Sequence, residues 1–386
     1  MYISRTNIIE HIPEFEADIV LVCCAGYPNY GDELLLKSWL DNIFLRDSKI
    51  KVLVECPVPG NCSVLLGDYD GRVRYQDAVW KIVWGAPHCP IDAFNYGIKL
   101  FEACDKNNGL RFMFGHYKKA KLMHFIGGRF IRKGWDNHFS LLGLAIAIKK
   151  RFHLNLSMSG QGFCPIDEVF LPIFKTALEN FEHVSCRDLP SLKVVEKLSC
   201  VDPDTVVDDT FLISDSPLFS GKENQKERVV ICIQNDIKDS FISALLLRQI
   251  HLLLAEDPER ELVVAEFCPN YDLTCVSEIS QLFKSPTIIS FEKLWNGRVL
   301  NKSDICVGTR YHFHLIASRS GCRGIFGSPD AYYGIKHDSL LPIGSNWQNV
   351  DLYHDRVPPL CFPRIQEESL VRKKRAEFGL IMSLTS

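Results

Sequence analysis

The stretch Asp18-Ile19-Val20-Leu21-Val22-Cys23-Cys24 decides the fold class, because it runs directly into the turn Ala25-Gly26-Tyr27-Pro28-Asn29-Tyr30-Gly31-Asp32 and then into a helical pattern from Glu33 to Phe44. Consecutive apolar side chains at Ile19 to Val22 leave no polar face, so this strand is buried on both sides, as strands of parallel sheets are. The same unit recurs downstream. Strands are expected at Lys49 to Cys56, Lys121 to Ile126, Leu154 to Gly160 and His183 to Cys186, with helices at Asn137 to Phe152, Phe170 to Asn180 and Ser191 to Leu198. Strand and helix in alternation are the signature of a doubly wound α/β domain.

From Ser214 to Glu227 the chain turns polar, with Ser216-Pro217 and then Gly221-Lys222-Glu223-Asn224-Gln225-Lys226, and reads as an interdomain linker. The alternation then restarts. Strands are expected at Arg228 to Gln234, Glu261 to Phe267, Thr287 to Phe291, Asp304 to Gly308 and Arg323 to Gly327, and helices at Ser240 to Ala255, Asp272 to Phe283, Glu292 to Asn301 and Tyr311 to Ser320. The expected organisation is an N-terminal α/β domain over 1–215, a second α/β domain over 226–345 and a helical tail over 346–386 that packs back on the body. Two facing domains of this kind enclose a cleft between the carboxyl edges of their sheets, where such folds bind ligands.

The chain has 386 residues, enough for two cores of ordinary size, and its 46% hydrophobic and 24% charged residues are the balance of a globular protein. A formal net charge of −3 with no basic stripe excludes a nucleic-acid partner held by phosphate neutralisation. No run approaches the ~20 apolar residues that cross a bilayer, and Met1 to Phe15 lacks the apolar core of a signal peptide, so a cytoplasmic protein is expected, with at most peripheral membrane contact. The basic run Arg372-Lys373-Lys374-Arg375 reads as a solvated helix face. The 15 cysteines lie mostly inside apolar runs, where a thiol acts as a small hydrophobe. No Cys-x-x-Cys pair and no His/Asp/Glu cluster has ligand spacing, so no metal and no cofactor are expected.

Several strand ends carry chemistry. Gly308-Thr309-Arg310-Tyr311-His312-Phe313-His314 places an arginine and two histidines where a strand becomes a helix, a position suited to an anion. After the first strand, Asn29 and Asp32 can bind a hydroxylated substrate or, in the case of Asp32, cap the helix, and the cap is favoured on that residue alone. Gly127-Gly128-Arg129 and Gly160-Gln161-Gly162 follow two further strands, and paired glycines there can offer backbone amides to a ligand or merely make tight turns. Arg187-Asp188 reads equally as an anion site and as a structural ion pair. Lys336, after the last strand, stands as a second cation across the cleft.

Taken in order, Asn29-Tyr30-Gly31-Asp32-Glu33, Gly127-Gly128, Gly160-Gln161-Gly162 with Pro165, Arg187-Asp188 with Ser191, Asp208 before Phe211, Gly308-x-Arg310-x-His312 and Tyr333-x-x-Lys336 resemble the polysaccharide pyruvyl transferases. The resemblance spans Gly26 to Lys336. It implies a glycosyltransferase-B-like fold, phosphoenolpyruvate as co-substrate, a sugar or lipid-linked oligosaccharide as acceptor, and transfer of the pyruvyl carbon to two hydroxyls as a cyclic ketal with release of phosphate in surface-glycan biosynthesis. Arg129 stands where a third glycine is common, and Cys164 where glycine is frequent.

Phosphoenolpyruvate carries a phosphate and a carboxylate, which call for fixed cations, and Arg187, Arg310 and Lys336 can supply them, with the Gly127, Gly128, Arg129, Gly160, Gln161 and Gly162 loops beside them. Protonation of its methylene carbon needs a general acid, assigned to His312 with His314 as substitute. Asp32 is the candidate base, and Asn29, Asp32 and Tyr333 are the candidate acceptor contacts. Two rivals stand beside this reading: a nucleotide-sugar glycosyltransferase of the same fold, with Glu266 or Asp330 at the ribose, and a non-catalytic sugar-binding protein of a polysaccharide assembly system.

Overall fold

The computed structural model describes residues 15–103, 112–198, 206–214, 216–219, 226–235, 240–269, 271–283 and 285–386. Half of the expected linker and nearly all of Met1 to Phe15 lie outside these residues. Two parallel sheets of six strands each form the body. The first runs β3-β2-β1-β4-β5-β6, with β1 Ile19–Val22, β2 Val52–Glu55, β3 Val73–Gln76, β4 Leu122–Phe125, β5 Asn155–Gln161 and β6 His183–Cys186. The second runs β12-β11-β10-β7-β8-β9, with β7 Arg228–Cys232, β8 Glu261–Ala265, β9 Thr287–Ile289, β10 Ile305–Gly308, β11 Arg323–Phe326 and β12 Gln348–Asn349.

Both sheets share one topology: the first strand of each sits in the middle, and the order reverses at β1/β4 and at β7/β10. β1 pairs in register with both neighbours, Ile19 opposite Val52 and Leu122, and each of its side chains is fully buried. That double burial is what the uninterrupted apolar run dictates. Sequence reading missed β3, whose Val73-Arg74-Tyr75-Gln76 mixes polar and apolar residues because it is an edge strand, and β12, which is only two residues long. It also missed the helices Pro59–Leu66, Ala78–Trp84 and Pro90–Glu102 between β2 and β4.

The sheets meet through the helix Tyr30–Arg46. Its first residue leaves the N-terminal domain and packs in the core of the second, with Tyr30 against Phe267, Phe291 and Trp295, and the Tyr30 N–H donates to Phe267 O at 2.8 Å. From the other side, Arg319 donates to Thr210 O and Ile213 O, both at 2.7 Å, and pairs with Glu367. The C-terminal helix Glu367–Ser383 then returns to the first domain, where Phe378, Ile381 and Met382 join the cluster around Trp39. Within the basic run, Arg372, Lys373 and Arg375 are exposed as expected, but Lys374 is fully buried between Asp209 at 2.8 Å and Glu377 at 2.6 Å. Glu377 in turn bonds His183 Nε2 at 2.8 Å, so the helix is fastened beneath β6 by buried charge as well as by its apolar face.

Candidate active site

Between the carboxyl edges of the two sheets lies a cavity of about 370 Å³. Its walls come from strand ends on both sides: Cys24, Asn29 and Asp32 after β1, Gly128 to Phe130 with Arg132 and Trp135 after β4, Arg187 after β6, Gln234 after β7, Phe267 after β8, Arg310 to His312 after β10, and Tyr333 with Lys336 after β11. Both topological reversals therefore open onto one space, as open α/β sheets require. The lining holds four arginines, a lysine and a histidine against one carboxylate, Asp32, so the space is built for negative charge.

Three of the arginines are each oriented from behind by a buried aspartate that does not line the cavity. Arg129 Nη2 meets Asp188 Oδ2 at 3.1 Å, Arg187 Nη1 meets Asp208 Oδ2 at 3.2 Å, and Arg310 Nε lies 2.6 and 2.9 Å from the two oxygens of Asp272. The expected Arg187-Asp188 partnership is therefore exchanged. Asp188 caps the helix Leu189–Lys197 by accepting the Ser191 N–H at 2.8 Å, which turns its other oxygen toward Arg129. Arg129, standing where a third glycine was anticipated, closes over Gly162, where a Cβ would come within 2.7 Å of its side chain, and brings charge to the wall.

His312 sits at the junction of the domains. A Cβ on Gly31 would fall 1.8 Å from His312 Nδ1, so only glycine at the start of the first helix lets the imidazole lie there. Its Nε2 stands 3.8 Å from Asp208 Oδ2, and the Tyr311 hydroxyl reaches the same oxygen at 3.4 Å, with the Arg187 guanidinium 4.6 Å from the Tyr311 ring. Burial alone would raise the Asp208 carboxyl, but His312, Arg187 and the Thr210 N–H outweigh it and hold it well below the usual carboxylate range. An Asp208 carboxylate held in this way is placed to stabilise positive charge on the ring of His312.

Asp32 does not cap the helix, the role favoured on that residue alone. Asn29 caps the helix, accepting the Gly31 N–H at 3.3 Å, and its amide donates to Asp32 Oδ2 at 2.8 Å, which leaves Asp32 on the cavity wall. Burial raises its carboxyl above the ordinary value, against the pull of His312, Arg187 and Lys336. Burial, then Arg187 and Arg129, push the Lys336 ammonium well below its usual range, and Nζ lies 4.5 Å from the Tyr333 ring centre.

Five expected site residues are placed elsewhere. The Gly127 N–H is taken by Asp209 Oδ2 at 2.9 Å, and Gly160, at φ +54, lies where a Cβ would come within 2.7 Å of Asp209 Oδ1 and donates to Ser185 Oγ at 3.0 Å. The Gly162 N–H closes on Gly128 O at 2.8 Å, and the Gln161 amide is spent on the Phe125, Ile126 and Ser159 carbonyls at 3.2, 2.9 and 3.1 Å. Gly127 and Gly160 make room for the buried Asp209 carboxylate and Gly162 for Arg129, rather than for a ligand; Gly128 alone of that set lines the cavity beside Arg129. The fifth is His314, fully buried with Nδ1 2.9 Å from His337 Nδ1 and Nε2 2.8 Å from Ser345 Oγ, and outside the cavity wall. Two positions on from His312 in a helix, its side chain faces the opposite side and enters the domain core.

The sequence reading missed Asp272, Arg132 and Trp135, and left Asp208 without a role. An aspartate is too common to single out without knowing which arginine it backs.

Residues 29–328 match the family model for polysaccharide pyruvyl transferase. No curated protein matches the chain. Among solved structures, Arabidopsis thaliana UGT89C1 complexed with quercetin is 11% identical, with 95% of this chain and 92% of that chain covered at a TM-score of 0.51. The Methanocaldococcus jannaschii UDP-GlcNAc 2-epimerase is 9% identical, with 94% and 99% covered at 0.47, and the spinosyn rhamnosyltransferase SpnG complexed with thymidine diphosphate is 13% identical, with 95% of each covered at 0.44. The fold is of the glycosyltransferase-B type.

Proposed function

The chain belongs to the polysaccharide pyruvyl transferase family, and on that premise we propose that it moves the pyruvyl group of phosphoenolpyruvate onto two hydroxyls of one sugar residue. The observation that carries the reading is the cavity's charge: Arg129, Arg187, Arg310 and Lys336 converge on a space whose walls hold one carboxylate. A donor with a phosphate and a carboxylate matches that surplus, and arginines fixed by Asp188, Asp208 and Asp272 bind it without losing side-chain freedom.

His312, as imidazolium beside Asp208, gives its proton to the methylene carbon of the donor and positive charge develops at C2. A sugar hydroxyl forms the first C–O bond there and its proton passes to Asp32. The bond from C2 to the phosphate oxygen then breaks, the second hydroxyl closes the ring, and its proton leaves with the phosphate. The nucleotide-sugar rival draws less support. Glu266 accepts the Phe291 N–H at 3.0 Å and Asp330 caps its helix at the Tyr333 N–H, 2.8 Å away, so both carboxylates it needs serve backbone amides outside the cavity wall.

Thermal unfolding tests the reading. Phosphoenolpyruvate at about 100 times its dissociation constant stabilises the fold by about 2.7 kcal/mol, and Lys336→Ala removes that shift. A shift with nucleoside diphosphates and none with phosphoenolpyruvate would overturn it.

A further inference from the structure

We propose that His337, held by His314, is a positioning residue that fixes the spacing between Lys336 and Arg310 and so tunes the cavity to anions with two charged groups. This rests on the pyruvyl-transfer reading and adds to it two residues that do not line the cavity. The two cations stand on different elements. Arg310 precedes the helix Tyr311–Arg319 after β10, and Lys336 lies in the helix Ala331–Asp338 after β11. Successive residues of a helix point about 100° apart, so while Lys336 lines the cavity, His337 turns into the core, where it is fully buried.

Burial lowers both imidazoles, His337 to about 4 with Lys336 adding to the effect and the Thr309 carbonyl opposing it, so at neutral pH each ring carries one proton. Where that proton sits follows from the partners. His337 Nε2 lies 2.9 Å from Thr309 O, the carbonyl of the peptide that leads into Arg310. A carbonyl only accepts, so Nε2 holds the proton and Nδ1 is left to accept. His314 Nδ1, 2.9 Å away, is therefore the donor, and His314 Nε2 accepts from the Ser345 hydroxyl at 2.8 Å. Ser345 Oγ in turn accepts the Trp347 N–H at 3.3 Å. Every hydrogen bond of this chain runs in one direction and the last ends on a backbone carbonyl, so the chain holds a strand end and passes no proton into the cavity.

The surroundings fix the rings in place. His314 stacks on Trp347 and Phe326, with centroids 4.3 and 5.1 Å away and planes inclined by 15° and 23°, and His337 lies 4.9 Å from Phe326 at 19°. Thr309 is also tied to β7: its N–H donates to Cys232 O at 3.1 Å and its hydroxyl accepts the Gln234 N–H at 2.9 Å. Arg310 is fixed from behind by Asp272, and His337 joins the helix of Lys336 to the peptide beside it. Two cations held at one spacing engage a phosphate and a carboxylate together, whereas a cation that drifts forfeits the second contact.

The experiment is a calorimetric titration of the full chain with phosphoenolpyruvate, phosphoglycolate and pyrophosphate as two-headed anions and inorganic phosphate as the single-headed one. The parent is expected to prefer the best two-headed anion. His337→Phe keeps a ring and removes both hydrogen bonds, and is expected to weaken that anion about tenfold with phosphate within about threefold. His337→Gln, whose amide can donate to Thr309 O and accept from His314, restores most of the loss, which a mere packing defect would not allow. His337→Phe also strands Thr309 O and His314 Nδ1 in the core. If it does not fold, Ser345→Ala decides, because it leaves both rings and removes the donor that sets their direction; about threefold weakening of the two-headed anion with phosphate unchanged is expected. Equal loss of both classes of anion, a preference unchanged in the variant that is read, no gain from Gln over Phe, or no preference in the parent overturns the positioning role. Preference for pyrophosphate with no binding of phosphoenolpyruvate counts against the pyruvyl-transfer reading alone, and the variants are then compared on pyrophosphate.

Discussion

Asp208 and Asp209 are adjacent, both buried, and belong to opposite kinds of network. Asp208 stands behind the cavity wall, where Arg187, Tyr311 and His312 share one oxygen at 3.2, 3.4 and 3.8 Å and the Thr210 N–H reaches the other at 2.9 Å. Asp209 is closed on every side: Trp39 Nε1 at 2.8 Å, Ser159 Oγ at 2.6 Å and the Gly127 N–H at 2.9 Å reach one oxygen, and Lys374 reaches the other at 2.8 Å. Asp208 meets long, partly lengthened contacts that can shorten when charge develops, whereas Asp209 meets short ones that are already spent. Burial and charge alone do not mark a functional group; contact with the residues that line the cavity does.

The largest effect is expected at His312, where His312→Gln lowers turnover by about 10²- to 10⁴-fold, read as phosphate release with acceptor present. Its folding midpoint stays near that of the parent, and Gly31→Ala produces the same loss by displacing the ring. A kcat within threefold of the parent would break the assignment of the network around Asp208. Next comes the closed network. Lys374→Met strands Asp209 and Glu377 without their cation and costs about 3–5 kcal/mol of stability by denaturant unfolding, with the phosphoenolpyruvate shift intact in the folded fraction. A cost below about 1 kcal/mol would remove the contrast.

Glu33 gives a smaller, pH-dependent signal. Burial first, with Asp32 beside it and against the Gly26 N–H that Glu33 accepts at 2.7 Å, raises its carboxyl to about 8. A carboxyl raised above its unfolded value of about 4.3 favours the fold at low pH, and that contribution is lost as pH rises toward about 8. Glu33→Gln is therefore expected to flatten the fall in stability across that window; an unchanged slope would place the titration elsewhere. The smallest effect belongs to exposed members of the basic run. Arg372→Ala should change stability by less than about 0.5 kcal/mol, against Lys374 two residues on, and a larger loss would mean that the run acts as a unit.

Much of the fold was legible because parallel strands buried on both faces must be continuously apolar. β1, β7, β8 and β10 satisfy that condition, and helices follow each of them. The edges were not legible, since an edge strand such as Val73-Arg74-Tyr75-Gln76 carries polar residues and loses its pattern. Within the site, Asn29, Asp32, Gly128, Arg129, Arg187, Arg310, His312, Tyr333 and Lys336 could be named and line the cavity, because strand ends of such sheets face the ligand by construction. Gly127, Gly160, Gln161 and Gly162 were read with the same rule and serve Asp209 or neighbouring carbonyls instead.

What the chain determined by itself was therefore local and periodic: which segments are strands, which are helices, and which residues stand at strand ends, all set by side-chain period and turn chemistry. Only the tertiary structure decided which carboxylate backs which arginine, that His312 rests on Gly31 from the other domain while His314 enters the core, and that Lys374 is buried. Those are pairings across 21 positions of sequence, for Arg187 and Asp208, to 281, for His312 and Gly31, and their partners are chosen by the packing of whole sheets, which no local pattern encodes.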